Sequence, residues 1–329
     1  MDVLHGGENP RRTLNNLPTE LILIVISDLK NSKEDVYTCR DLKSLAHTCR
    51  RLWIILREEV RQQCFSHLRI PSLKALDLLY TPRHTHGFQK YINTLSIEES
   101  KTDLNLPTTA WHKEIENLLS GCTGLQKLVY GLDPMIHGKM PIACLEQLVK
   151  ALSLVRYRLK GLHLKFRVPF MPPENLVDLQ LRRFRHVTKL TIPVTMFTQG
   201  RQFYMRPEQK NIDNEVLNMH PEWIIGRHLY PPNLSDLGLE FHETSQGTTW
   251  RVDLAWEQFH FRLYTALHEG LIDEKLPHEL TKLRLLYLGK PGFRPANQLF
   301  QRLQTAGHLY GVEITRSASD EHGSYALSG

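Results

Sequence analysis

The sequence predicts an α/β chain in two parts: a small helical unit, then a long array in which strands and helices alternate. Three observations lead there. Near the N-terminus, apolar residues recur at three- and four-residue steps, the period of a helix face. From Ile92 onward a different phrase takes over, an apolar residue followed at +3 and +5 by two more, with helical stretches between most copies. The length of 329 residues agrees with about two domains.

Apolar residues make up 41% and charged residues 23%, a globular balance with material for a sizeable core. The longest apolar run, Leu21 to Ile26, is far too short to span a bilayer. The first twenty residues lack the apolar core of a secretory signal, so neither a membrane-embedded nor a secreted protein is expected. Five cysteines, at 39, 49, 64, 122 and 144, are odd in number and form no C-x-x-C pair. That pattern argues against a disulfide framework or zinc ribbon, and for thiols in a reducing cytoplasm or nucleus.

Residues 1–12 read as a flexible leader. Asn15-Asn16-Leu17-Pro18 is a helix-start signal, with Pro18 in the first turn and Glu20 near the positive end of the helix dipole. Leu21, Ile22, Val25, Ile26 and Leu29 continue that helix. After a polar stretch from Lys30 to Arg40, Asp41 reads as the N-cap of a second helix. Leu42, Leu45, Ala46, Cys49 and Leu52 form its apolar face, which continues through Trp53 and Leu56 toward Val60. The apolar run from Leu21 to Ile26 covers every direction around a helix, and one other strong helix cannot enclose it. Each large aliphatic side chain left in water forgoes roughly 1.5–3 kcal/mol. One face is therefore expected against this chain and another against a second protein.

Residues 14–56, LNNLPTELILIVISDL…DLKSLAHTCRRLWIIL, resemble an F-box. Leu17, Pro18, Glu20, Leu21, Ile22, Val25, Ile26, Leu29, Asp41, Leu42, Leu45, Thr48, Cys49, Arg50 and Leu52 stand in the family's order. Ile24 departs from it, standing where the pattern has a polar residue. The link from Leu29 to Asp41 is longer than in a compact F-box, a change that costs little. F-boxes dock on the Skp-type adaptor of cullin–RING ubiquitin ligases. The resemblance therefore implies an F-box over residues 13–60, with Leu17, Pro18, Leu21, Ile22, Val25, Ile26, Leu29, Leu42, Leu45, Cys49 and Leu52 serving the adaptor.

The recurring phrase reads Ile92/Leu95/Ile97, Leu125/Leu128/Tyr130, Leu159/Leu162/Leu164, Val187/Leu190/Ile192, Leu234/Leu237/Leu239, Leu280/Leu283/Leu285 and Leu309/Val312/Ile314. Helical patterns fall at Trp111 to Leu119, Ile142 to Val155, Leu254 to Leu267 and Ala296 to Ala306, the last ending at Gly307 as its C′ glycine. Leu176/Leu179/Leu181 fits the phrase too but reads as helix. Alternation of this kind at irregular spacing predicts a leucine-rich-repeat-like strand–helix solenoid over residues 61–316, in which each unit buries its apolar face on its neighbours. The strands would line a concave sheet suited to protein recognition. Tyr91 to Ile97 resembles the first strand of such arrays in fungal-type F-box proteins. Residues 195–232, rich in aromatics, Arg and Pro, interrupt the repeats as an insertion, and residues 317–329 read as a disordered tail.

The net charge of +6 is local: between Arg156 and Lys189 nine basic residues face two acidic ones. Lys165, Arg167, Arg182, Arg183 and Arg185 are expected to converge on one rim and read an acidic or phosphorylated segment of a substrate. Catalytic motifs are lacking: no Walker loop, no G-x-S-x-G, no H-E-x-x-H. Gly121-Cys122-Thr123-Gly124 reads as a turn, His260 as a core or boundary residue, and His84, His86 and Cys64 lack the further ligand a metal needs. No cofactor or metal is expected. The expectation is a non-enzymatic substrate receptor of an SCF-type ligase, linking a protein substrate to the adaptor for ubiquitination. Alternatives are an F-box scaffold outside the ligase, or nucleic-acid binding through residues 156–189, for which no groove-reading motif is present.

Overall fold

The computed structural model describes residues 18–22, 24, 43–70, 87–98, 108–132, 142–166, 180–194, 229–242, 250–288 and 297–319. It divides into two compact units, Met1–His67 and Leu68–Gly329. The expected boundary at residue 60 falls inside a helix, α1 (Arg50–Phe65). The leader lies outside the described residues, as does the 195–232 insertion apart from its last four residues.

In the N-terminal unit, residues 19–22 and 24 are helical, and Ile22 N–H donates to the Pro18 carbonyl. Residues 43–46 form a second helical turn. The continuous helix expected from Leu42 to Val60 is broken at Thr48-Cys49. Thr48 Oγ1 donates back to the Leu45 carbonyl at 2.7 Å, and Cys49 is extended (φ −158°, ψ 160°) with its sulfur accepting from Leu52 N–H. Side chains that offer local hydrogen bonds compete with helix continuation, which is why the apolar period alone missed the break. Beyond it, Leu52, Leu56 and Val60 recur at four-residue steps along α1. They close a core with Ile22 and Ala46, flanked by Leu45, Cys49 and Ile55.

The C-terminal unit is built on one eight-stranded sheet whose strands lie in sequence order. They are β1 (His67–Ile70), β2 (Thr94–Glu98), β3 (Lys127–Leu132), β4 (Gly161–Phe166), β5 (Lys189–Pro193), β6 (Asp236–His242), β7 (Lys282–Leu288) and β8 (Glu313–Ser319). All pairings from β2 to β8 are parallel. Parallel neighbours require crossovers. These carry α2 (Thr108–Gly121), α3 (Ile142–Val155), α4 (Trp250–Ile272) and α5 (Asn297–Leu309), with a 3₁₀ turn at Leu181–Arg183 before β5. Strictly sequential order without reversal is the topology of a repeat solenoid.

Register explains the recurring phrase. Leu95, Leu128, Leu162, Leu190, Leu237, Leu283 and Ile314 stand on one row across seven strands, all buried. Two residues on, Ile97, Tyr130 and Leu164, then Ile192, Leu239 and Leu285, form a second buried row. The turn before each strand is locked as well. The Asn93 carbonyl accepts from both Gln126 and Lys127 N–H, and the Gln126, Lys160, Thr188 and Ser235 carbonyls repeat this toward the following unit. The phrase thus marks one structural position per unit, its apolar residues turned into the core.

Several expectations are corrected. The last copy was framed two residues early: Ile314, not Val312, occupies the central row, and Leu309 is exposed. Arg316 takes the second apolar position, lying over the Phe300 ring at 4.6 Å and donating to Asn297 Oδ1. The first strand is β1, not the segment at 91–97. Gly307 lies within α5, where an added Cβ would meet Ile314 Cδ1 at 2.6 Å; the left-handed glycine that ends the helix is Gly311 (φ +72°). Ser317 to Ser319 belong to β8 and not to a disordered tail; residues 320–329 lie outside the described residues. Leu229 and Tyr230, at the end of the expected insertion, are core residues.

Candidate functional site

In a strand, residues alternate between faces. With the two apolar rows in the core, the residues one before and one after each central position lie on the opposite face. The first such row reads Thr94, Lys127, Gly161, Lys189, Asp236, Lys282, Glu313 in unbroken register. The second reads Ser96, Val129, His163, Thr191, Gly238, Arg284, Thr315. This face carries the charge: Lys189, Lys282 and Glu313 are exposed and Lys127 partly so.

Its side chains form an ordered set. Arg284 Nε donates to Asp236 Oδ1 at 2.7 Å, and its Nη2 reaches Thr191 Oγ1 at 3.5 Å. Gly238 makes that approach feasible, because a Cβ there would stand 2.8 Å from Thr191 Oγ1. Lys282 Nζ lies 3.1 Å from Glu313 Oε2. His163 Nε2 contacts Glu240 Oε1 at 2.6 Å across the intervening strand β5, and the Glu240 side chain is fully buried. Burial first, then the positive charges of Lys189 and Arg284, hold the Lys127 ammonium below the usual lysine range, while Asp236 pulls it back up.

The expected five-cation rim does not form. Lys165 is a half-buried residue of β4, four residues past Gly161, which pairs with Lys189 at the start of β5. Arg182, Arg183 and Arg185 are exposed and precede β5. Because β4 and β5 run parallel, residues that follow one strand and residues that lead into the next lie at opposite sheet ends. Lys165 stands about 13 Å along the strand from the Gly161 level, at roughly 3.3 Å per residue. Arg167 lies outside the described residues. A better signal was present: Lys127, Lys189 and Lys282 each stand immediately before the central Leu of their copy, and one lysine at a fixed repeat position becomes a row.

In the N-terminal unit the expected adaptor-facing residues divide. Ile22 and Leu52 are buried in the unit's own core, so they shape a surface and do not present one; Leu45 and Cys49 are half-buried. Pro18 is exposed, and Leu21 and Ile24 expose 46% and 56% of their surface. Leu17, Val25, Ile26, Leu29 and Leu42 lie outside the described residues. Trp53, stacked on His47 at 5.5 Å, and Ile54 are also exposed, at 41% and 54%. Sequence reasoning did not place them on the surface. Their signal was position: with Leu52 and Leu56 facing the core and Ile55 at its flank, Trp53 and Ile54 turn outward.

Groups with catalytic potential are held otherwise. Cys122 is fully buried, its thiol pushed up to about 12 by burial against a small opposing effect of Arg158. The Cys122 carbonyl accepts from Arg158 Nη1 at 2.7 Å, so the Gly-Cys-Thr-Gly turn is a packing element. His260 is buried, stacked on Phe241 and Tyr287. Among the described residues no group of three or more His, Cys, Asp or Glu side chains is placed to hold a metal ion.

By strand order and register the C-terminal unit is an α/β repeat solenoid with a charged sheet face. No protein-family model matches the chain, and no curated protein matches it. The solved structure of the leucine-rich repeat-containing protein LegL7 from Legionella pneumophila is similar over 71% of this chain and 76% of its own, at 10% identity and a TM-score of 0.35. At that score the likeness adds nothing to what the strand order already defines.

Proposed function

We propose that the chain is a non-catalytic receptor subunit of an SCF-type cullin–RING ubiquitin ligase: an F-box in the N-terminal unit takes the Skp-type adaptor, and a leucine-rich-repeat-like array presents a charged sheet face to a protein substrate. One observation carries the docking half of this reading. The N-terminal unit fills its own core with Ile22, Ala46, Leu52, Leu56 and Val60, yet leaves Leu21, Ile24, Trp53 and Ile54 exposed. Large apolar side chains in water forgo roughly 1.5–3 kcal/mol each, and a partner surface recovers it. Function then comes from proximity, two binding sites on one chain raising the effective concentration of substrate lysines near the conjugating enzyme. The test is co-purification with the Skp-type adaptor. Leu21→Asp with Ile24→Asp should abolish it while hydrogen exchange across the array stays unchanged. Full retention of the adaptor by that variant would remove the F-box assignment.

A further inference from the structure

In a parallel sheet the segments that lead into successive strands lie at the same end. Those leading into β4 and β5 are neighbours: Gly161 pairs with Lys189, and the Lys160 carbonyl accepts from both Thr188 and Lys189 N–H. Together they bring six cations to one rim, Arg156, Arg158 and Lys160 from the first segment and Arg182, Arg183 and Arg185 from the second. Lys160 and the last three are exposed; Arg156 and Arg158 are half-buried. The described part of neither segment contains a carboxylate. On adjoining elements, Asp236 accepts from Arg284, Glu240 contacts His163 and Glu116 pairs with Lys150. Were Glu174 and Asp178, which lie outside the described residues, to offset two of the six charges, four would remain. The backbone beneath is tied down. Arg158 donates through Nη1 to the Cys122 carbonyl at 2.7 Å and through Nη2 to the Leu154 carbonyl at 3.1 Å, and Asn233 Nδ2 donates to the Arg185 carbonyl at 2.7 Å. Like charges fixed on such turns create a positive potential that an anion relieves.

An aromatic ring selects among anions. Tyr157 exposes 63% of its surface in the midst of these cations. Arg156 lies over its ring at 4.6 Å and donates through Nη2 to its hydroxyl at 2.7 Å, which holds the exposed ring in one orientation. Tyr157 and Arg185 each stand four residues before the Gly161–Lys189 pair, hence at equivalent places one strand spacing, about 4.8 Å, apart. A ring fixed beside arginine forks offers a stacking surface to a base and charge-assisted hydrogen bonds to phosphates, the combination suited to a single nucleic-acid strand. In a duplex the bases are already stacked on one another, and an acidic peptide carries no base. The rest of the edge is unsuited to a flat anionic bilayer. The segment leading into β6 presents Pro232 and Asn233, that into β7 presents Asp273, Glu274, Lys275 and Glu279, and β8 opens with Glu313, all exposed. A bilayer laid along this edge meets those carboxylates; a strand crossing the two basic turns does not.

We propose that the rim formed by Arg156 to Lys160 and Arg182 to Arg185 binds single-stranded nucleic acid, the cations taking its phosphates and Tyr157 stacking one of its bases. The site is independent of the receptor reading above.

The test uses the full chain, an Arg182→Gln/Arg183→Gln/Arg185→Gln variant and a Tyr157→Ala variant, all at exposed positions. The probes are labelled oligouridylate, its deoxy form, a DNA duplex of the same length, polyglutamate, and vesicles of phosphatidylserine and phosphatidylcholine. One or both single strands should bind tightest, and their ratio tells RNA from DNA through the 2′-hydroxyl. Log K should fall linearly with log salt, by about 0.7 per phosphate contacted. The arginine variant should lose about tenfold or more in affinity and flatten that slope by about two, for three phosphate contacts removed, with its thermal melt unchanged. Tyr157→Ala should lose about fivefold or more, as expected from one stacked base, and keep the wild-type slope, so that charge and stacking are read separately. Tighter binding of the duplex, polyglutamate or the vesicles, undiminished binding by the arginine variant, or full affinity in Tyr157→Ala would each overturn the proposal.

Discussion

Cys122 stands in the turn between Gly121 and Gly124, and burial of its fully enclosed thiol pushes it up to about 12. The sign of the consequence follows from proton counts. Above the ordinary thiol value of 9.0 the unfolded chain releases this proton while the native chain retains it. The contribution to stability is therefore whole below pH 9.0 and fades as the pH climbs toward about 12. Burial raises Tyr230, Tyr264 and Tyr287 as well, Tyr264 and Tyr287 sharing a 2.6 Å hydroxyl contact, and they act in the same direction above the ordinary tyrosine range. Urea midpoints should accordingly hold steady from pH 7 to 9 and then fall. Native Cys122 should resist an aromatic disulfide reagent at pH 8 while the unfolded chain reacts; labelling of the native thiol at the unfolded rate would mean the turn opens.

The repeat unit was the most legible element, because one apolar phrase encodes one register position and stacking repeats it. Six of its seven copies fall on the buried rows in the frame the sequence gives them. The seventh misleads for a physical reason. At the edge strand β8 Arg316 replaces an apolar residue and Gly311 stands three before Ile314, so the true copy loses both apolar flanks, while Leu309 and Val312 imitate them. β1 escaped notice because four residues, buried in the pattern exposed, half-buried, exposed, buried, are too few to show a period. The break at Cys49 was hidden because helical spacing continues across it. The charged rows went unread for the opposite reason: Lys127, Lys189 and Lys282, each before the central Leu of its copy, look like ordinary solvated residues until register aligns them. The frame itself can be checked. Ile314→Ala should cost about 2–5 kcal/mol as a core truncation, whereas Leu309→Ala, at a site 76% exposed, should stay within about 0.5 kcal/mol. Denaturant midpoints on the two variants decide it, and the reverse order would restore the earlier frame.

At the scale of the molecule, the division at His67 and Leu68 separates a small helical core from a long stack in which each strand bonds to its sequence neighbours. The first unit, Met1–His67, is short, and a unit of that length buries a small share of its surface, so its stability is small beside that of the array. In the array, stability accrues unit by unit through nearest-neighbour contacts. The two should therefore lose structure as distinct events. Leu56, fully buried on the inner face of α1, is the position at which to strike the first without touching the second. Leu56→Ala removes about 2–5 kcal/mol from a unit with little to spare. Hydrogen exchange read by mass spectrometry should then show protection lost over residues 43–65, while peptides from β3 to β7 keep theirs. The same variant should lose the adaptor. Protection lost in both units together would mean that the chain folds as one cooperative body, and the assignment of docking to one part and recognition to the other would have to be abandoned.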